Sequence, residues 1–246
     1  MRLLVDLGNS RLKWASSAAG QWRPGVAAYR GVEMDELLEQ TWSELPLPQV
    51  AVMAAVAADA DREALERWIE GRWRIPVHSV RARPELAGVV NRYRDPAALG
   101  PDRWAALIGA RAELPEDAVC VVDCGTAVTV DALTADGQFA GGVIFPGLAL
   151  LRESLKAGTA GLRAAEGNEA SCLALSTADG IAAGTLYGLA GAIERVCGEF
   201  ERALGEPAKL VMTGGDADHI AALLLRPALR VPDLVLKGLD RIADTL

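Results

Sequence analysis

Short apolar runs that end in glycine turns recur along this chain. Leu3-Leu4-Val5-Asp6-Leu7 leads into Gly8-Asn9, and Cys120-Val121-Val122-Asp123-Cys124 leads into Gly125-Thr126. The two runs lie 117 positions apart, and the same offset carries Gly20-Gln21-Trp22 onto Gly137-Gln138-Phe139 without a gap. Each copy reads as an apolar strand, an Asp-x-Gly-polar turn, a second strand, a Gly-Gln turn and a third strand. That pattern predicts a three-stranded antiparallel meander in each copy. A gapless match at both turns favours duplication over two unrelated hairpins.

Alternating helices and strands follow each meander. After the first, the periodicity predicts a helix over Met34–Trp42, a strand over Gln49–Ala57, a helix over Asp61–Trp73 and a strand over Ile75–Val80. Ala64, Leu65, Trp68 and Ile69 recur at helical spacing. After the second come an amphipathic stretch, Leu148–Lys156, and a long helix, Thr177–Leu204, with Leu186, Leu189, Ile193, Val196 and Phe200 on one face. A strand, Lys209–Thr213, a Gly214-Gly215 turn and a helix, Ala217–Leu225, complete this half. No Gly/Ser-rich or Pro-rich linker divides the chain. The expectation is two duplicated α/β halves, 1–114 and 115–246, each a mixed sheet with helices, facing across a cleft where such folds bind ligands.

Composition narrows the classes. The chain has 246 residues, 51% hydrophobic and 24% charged, which excludes wholesale disorder. Against 25 Lys and Arg stand 33 Asp and Glu, a net charge of −8, which argues against a nucleic-acid binder. The longest apolar stretches, around Val50–Ala58 and Val143–Leu151, fall short of the ~18–20 residues of a membrane span. Arg2 and Asp6 break any signal-like start. Four cysteines without a CxxC pair and two histidines disfavour a zinc site and suit a reduced, cytoplasmic protein.

The candidate chemistry lies at the turns. Asp6 places a carboxylate at a strand end, Asn9, Ser10 and nearby N–H groups suit phosphate oxygens, and Lys13 adds positive charge. Asp123, Thr126 and Thr129 form the mirrored set. Singly each is an ordinary turn, but two related copies can clamp a polyphosphate from both sides. Gly214-Gly215 would let a flat base lie against the backbone. Gly100-Pro101-Asp102-Arg103 opens a helix, Asp102–Glu113, where Asp102 reads equally as a cap or as a proton acceptor beside an anion-binding arginine. There is no GxxxxGK[ST], so a P-loop is excluded. The glycines between Gly184 and Gly191 read as helix packing.

Together these motifs resemble the type III pantothenate kinase family of the actin, Hsp70 and sugar-kinase superfamily. The most specific part is Tyr93-x-x-Pro96-x-x-Leu99-Gly100-x-Asp102-Arg103. Asp6-x-Gly8-Asn9-Ser10-x-x-Lys13, Asp123-x-Gly125-Thr126-Ala127-x-Thr129 and Gly141-Gly142-Val143-Ile144-Phe145-Pro146-Gly147 are similar to its other signatures. The resemblance reaches Gly238-Leu239. It implies an actin-like (ribonuclease H-like) fold and ATP-dependent phosphorylation of pantothenate, the first step of coenzyme A biosynthesis. It implies that Asp6, Leu7, Gly8, Asn9, Ser10, Arg11, Leu12 and Lys13 hold ATP phosphates with Mg²⁺, assisted by Thr126. Asp102 is then the general base, and Tyr93, Gly100, Pro101, Arg103 and Thr177 position pantothenate. Asp123 would bind a monovalent cation, K⁺ or NH₄⁺, and the family is typically a homodimer. Ser10 stands where threonine is common, and Ser176-Thr177 replaces a more usual Asn-Thr. Segment 158–172 matches the family poorly and is assigned nothing. Two other readings are a non-catalytic regulatory protein of the same fold and a kinase of another small hydroxyl compound.

Overall fold

The computed structural model describes residues 1–18, 20–159 and 171–246, so segment 158–172 falls mostly outside the described residues. The chain divides into two compact units, 1–115 with 233–246, and 116–232.

In the first unit, β1 (Arg2–Leu7), β2 (Arg11–Ala18) and β3 (Gln21–Ala28) form the expected antiparallel meander. Then come α1 (Met34–Trp42), β4 (Val50–Ala55), α2 (Asp59–Trp73) and β5 (Val77–Ser79). The sheet order is β3-β2-β1-β4-β5, with β4 and β5 parallel to β1. A small hairpin, β6 (Glu85–Leu86) with β7 (Val89–Asn91), precedes α3 (Pro101–Glu113). The sequence pattern did not predict this hairpin, because two- and three-residue strands carry no periodicity.

In the second unit, β8 (Val119–Cys124), β9 (Ala127–Leu133) and β10 (Gln138–Pro146) repeat the meander. α4 (Leu148–Gly158), α5 (Thr177–Leu204), β11 (Lys209–Thr213), α6 (Ala217–Ala221) and β12 (Ala228–Arg230) follow. Five strands run β10-β9-β8-β11-β12, the same order as in the first unit. The 117-residue offset carries β1 onto β8 residue for residue. The ladders are not identical. Leu7 pairs with Leu12, whereas Cys124 pairs with Val128, so the second turn is one residue tighter. Asp6 therefore faces Lys13, and Asp123 faces Thr129.

The last helix, α7 (Leu234–Ala243), belongs to the first unit and not to the second, unlike a linear cut at 114/115. It crosses α3 closely. A Cβ on Gly238 would run into the Ala105 carbonyl, and one on Gly109 would lie 2.5 Å from the Leu234 carbonyl. Glycine at 238 thus serves backbone approach between helices.

The two cores differ in kind. The first is aromatic: Trp42 is fully buried, with Trp14, Trp68 and Trp73 at centroid distances of 5.7, 5.9 and 6.2 Å. Offset and edge contacts of this kind add to area burial. The second is aliphatic and sulfur-lined, with Cys120, Val122, Cys124, Ile193, Cys197 and Met212 closed from solvent.

Candidate active site

The first turn joins β1 to β2 at the carboxyl end of β1, beside the parallel β4, where α/β sheets place ligands. Asp6 is buried, and its Oδ2 lies 3.5 Å from Lys13 Nζ on the facing strand position. Gly8 N–H donates to the Arg11 carbonyl at 3.1 Å and tightens the turn. Asn9 and Arg11 are exposed, and Ser10 is half-buried. Leu7 and Leu12 are fully buried in the core, so only their main chain is available to a nucleotide.

The second turn carries Asp123 half-buried and Thr126 exposed. Gly214, at φ +94° after β11, presses on the same spot: its Cβ would lie 2.5 Å from Asp123 Oδ1 and from the Cys124 backbone. The Asp123 carboxylate thus occupies a glycine-walled cradle at the ends of two parallel strands. An all-oxygen carboxylate donor suits a hard cation. Among the described residues no group of three or more His, Cys, Asp or Glu stands together. A cation at Asp123 would draw its other ligands from backbone, substrate or water oxygens. Burial and the Asp123 charge push the neighbouring Cys124 thiol up to about 12.

The third cluster sits at the start of α3. Gly100 is the N-cap, Pro101 the first helical residue and Asp102 the second. Asp102 is therefore not the cap. Its Oδ1 accepts the Arg103 N–H at 2.8 Å and folds back over Gly100, where a Cβ would lie 2.6 Å away. Any side chain at 100 would displace this carboxylate. Arg103 is buried, and its Nη1 donates to Tyr93 Oη at 2.8 Å. Asn91, to which the sequence reading assigned no role, holds the loop. Its Oδ1 accepts the Tyr93 N–H at 3.0 Å, and its Nδ2 donates to the Pro96 carbonyl at 3.0 Å. Such a buried staple is visible only once the loop closes.

Thr177 is the exposed first residue of α5. Ser176 caps the helix, its Oγ accepting the Asp179 N–H at 3.1 Å. Thr177 lines an apolar cavity of about 620 Å³ between α4 and α5, with Phe145, Leu151, Leu155, Ile181 and Gly184. Among the described residues, a Cβ on Gly184, Gly188 or Gly191 would meet nothing within 4 Å.

The structure thus gathers Asp6 with Lys13, and Gly100, Asp102, Arg103 and Tyr93, within the first unit. It gathers Asp123 with the Thr126 turn in the second, and places Thr177 at the cavity between α4 and α5.

Matched sheets of this order, each opening on an Asp-x-Gly hairpin, define an actin-like α/β protein. A solved structure from Campylobacter jejuni described as a Baf family transcriptional activator shares the fold at TM-score 0.62, with 21% identity over 99% of this chain and 98% of that one. A 2-dehydro-3-deoxygalactonokinase structure from Sinorhizobium meliloti shares it at 0.60, with 16% identity over 100% and 99%. A profile described as type III pantothenate kinase matches residues 2–199. Type III pantothenate kinases from Nitrosococcus oceani (99% of this chain, 94% of the relative) and Burkholderia mallei (100% of both) are each 40% identical. The chain belongs to the type III pantothenate kinase family. No described helix is long and apolar enough to cross a membrane.

Proposed function

We propose that this chain transfers the γ-phosphoryl group of ATP to the primary hydroxyl of pantothenate, the first step of coenzyme A biosynthesis. The observation that carries the reading is the Asp102 carboxylate held over Gly100 and beside the Arg103–Tyr93 pair. The substrate hydroxyl oxygen forms a bond to the γ-phosphorus, the bond to the ADP oxygen breaks, and Asp102 takes the hydroxyl proton. Phosphoryl transfer needs positioning and charge neutralisation more than covalent help. Arg103, Tyr93, Gly100 and Pro101 position the acceptor, joined by Thr177. The Asp6–Lys13 turn holds the triphosphate, assisted by Thr126. Mg²⁺ at Asp6 and a monovalent cation at Asp123 supply positive charge when bound, in a protein of net charge −8. The active form is a cytoplasmic homodimer.

The test is ADP release with pantothenate, with and without K⁺. Turnover with pantothenate that K⁺ stimulates is expected. No turnover would favour a regulatory protein, and turnover only with other acceptors would favour a different kinase. Asp102→Asn should lower turnover at least ~100-fold while nucleotide binding is retained. Near-normal turnover would remove Asp102 from the mechanism.

A further inference from the structure

The two residues just after β3 reach back to the first turn. Tyr29 is buried, at 5% exposure, and its hydroxyl donates to the Gly8 carbonyl at 2.6 Å. Arg30 Nε donates to the Asn9 carbonyl at 2.9 Å. In a trans peptide the carbonyl of one residue and the N–H of the next point to opposite sides. The described peptides are all trans. Drawing the Gly8 and Asn9 carbonyls toward Tyr29 and Arg30 therefore turns the N–H groups of Asn9 and Ser10 to the opposite side. Successive N–H groups facing one way make a concave cradle for an anion.

We propose that Tyr29 and Arg30 are positioning residues that set this cradle for the nucleotide's phosphates. The proposal deepens the nucleotide part of the reading above and rests on it. Tyr29 acts through its hydroxyl, under the turn. Burial, then the charge of Asp61, raises its pKa, so it keeps the proton it donates. Arg30 is exposed and adds a positive charge beside the cradle as well as a hydrogen bond.

A close counterpart exists in the second unit. The 117-residue offset carries Asn9 to Thr126 and Arg30 to Gly147. There the Gly147 N–H donates to the Thr126 carbonyl at 2.9 Å. In both units a turn carbonyl is thus held from just beyond the third strand, by side chains in the first and by the main chain in the second.

Tyr29→Phe removes the hydroxyl and keeps the ring. Calorimetry without acceptor, using ADP and adenosine as probes, reads the cradle directly. Tyr29→Phe should weaken ADP binding about threefold to tenfold, the usual effect of one lost hydrogen bond. Adenosine, which has no phosphate, should bind as to wild type, and the KM for pantothenate should not move. Arg30→Gln, at an exposed site that tolerates substitution, should weaken ADP binding severalfold, with partial rescue in Arg30→Lys. Unchanged ADP affinity in Tyr29→Phe, or an equal loss for adenosine, would overturn the proposal. If the wild type binds ADP in a Tyr29-dependent way yet leaves pantothenate unphosphorylated, the cradle stands and the assigned reaction fails. If pantothenate is phosphorylated and Tyr29→Phe binds ADP normally, the reverse holds.

Discussion

The first and second turns are built from one pattern but braced by different means. Tyr29 and Arg30 side chains hold the carbonyls of Gly8 and Asn9, whereas the Gly147 main chain holds that of Thr126. The facing strand brings a lysine to Asp6 and a threonine to Asp123. Glycines crowd the second turn: a Cβ on Gly147 would run into the Gly125 carbonyl and lie 2.7 Å from that of Thr126. The difference suggests a division of labour. A side-chain brace and a lysine suit an anion, and a close backbone cradle around a carboxylate suits a cation.

The sharpest way to break the comparison is Gly147→Ala. The added methyl meets backbone oxygens, which cannot rotate away, so the second turn must shift. Overpacking of this kind costs about 1–3 kcal/mol. Turnover should fall by at least ~100-fold, since misplacement of ~1 Å has effects of that size. Chemical denaturation and steady-state kinetics read both. A stable, active Gly147→Ala would mean that the second turn is not braced as the geometry indicates.

Next in size is the pair Asp6→Asn and Asp123→Asn. If the turns divide the work, Asp6→Asn loses about 100-fold in kcat/KM for ATP whatever the cation, a loss typical of removing a charge-positioning group. Asp123→Asn should instead fall to the rate of wild type without K⁺, and stop responding to K⁺. Equal behaviour of the two variants in a K⁺ titration would erase the distinction.

A smaller effect concerns how the long helices are tied down. In the second unit Arg226 donates from Nη1 and Nη2 to the two carboxylate oxygens of Glu201 on α5, at 3.2 and 2.8 Å, 25 positions away in sequence. In the first unit Arg62 on α2 pairs with Glu66 of the same helix. The Arg226 hydrogen bonds hold the Glu201 carboxyl below its ordinary range. A lowered carboxylate pKa contributes stability above the unfolded value, near 4.3, and loses it as pH falls through the folded value. Arg226→Met should therefore cost about 0.5–1 kcal/mol at pH 7, allowing for solvent screening. The gap to wild type should close below about pH 4. Arg62→Met should leave the denaturation midpoint unmoved. A gap at position 226 that persists in acid would assign the effect to packing rather than to the ion pair.

Much of this asymmetry is absent from the sequence pattern. The strands β1, β8 and β11 follow from continuous apolar runs, since they are buried on both faces, and the helices α1 and α5 from apolar periodicity, since each buries one side. The Asp-x-Gly turns were legible because duplication repeats them. The one-residue tightening of the second turn was not, because it is a matter of pairing rather than of spacing. Tyr29 and Arg30 carry no motif in the sequence; their role depends on how the chain just after β3 folds back on the first turn. The extension of the first unit by α7 likewise depends on Gly109 and Gly238 admitting a close helix crossing, which a linear reading does not register. Asp102 and Arg103 were legible as a pair, but the reason for Gly100 lies in the carboxylate folded above it.

The smallest effect uses the contrast between the cores themselves. All six tryptophans lie before residue 116, and all four cysteines lie between 116 and 232. Indole fluorescence therefore reports the first unit, and thiol chemistry the second. Cys172 is exposed, while Cys120, Cys124 and Cys197 are buried. Only a thiolate attacks a disulfide reagent. Burial pushes the Cys124 thiol up to about 12, and the Cys120 thiol is raised by its hydrogen bond to Cys197 and by burial. The same hydrogen bond lowers the Cys197 thiol, which is protected by burial alone, so at pH 8 an aromatic disulfide should label one equivalent quickly and the other three only as denaturant opens the second unit. Following fluorescence and thiol release in one urea series then separates the opening of the two cores. More than one fast equivalent in the native protein would mean that the sulfur-lined core opens without denaturant, and that the two units differ in rigidity as well as in composition.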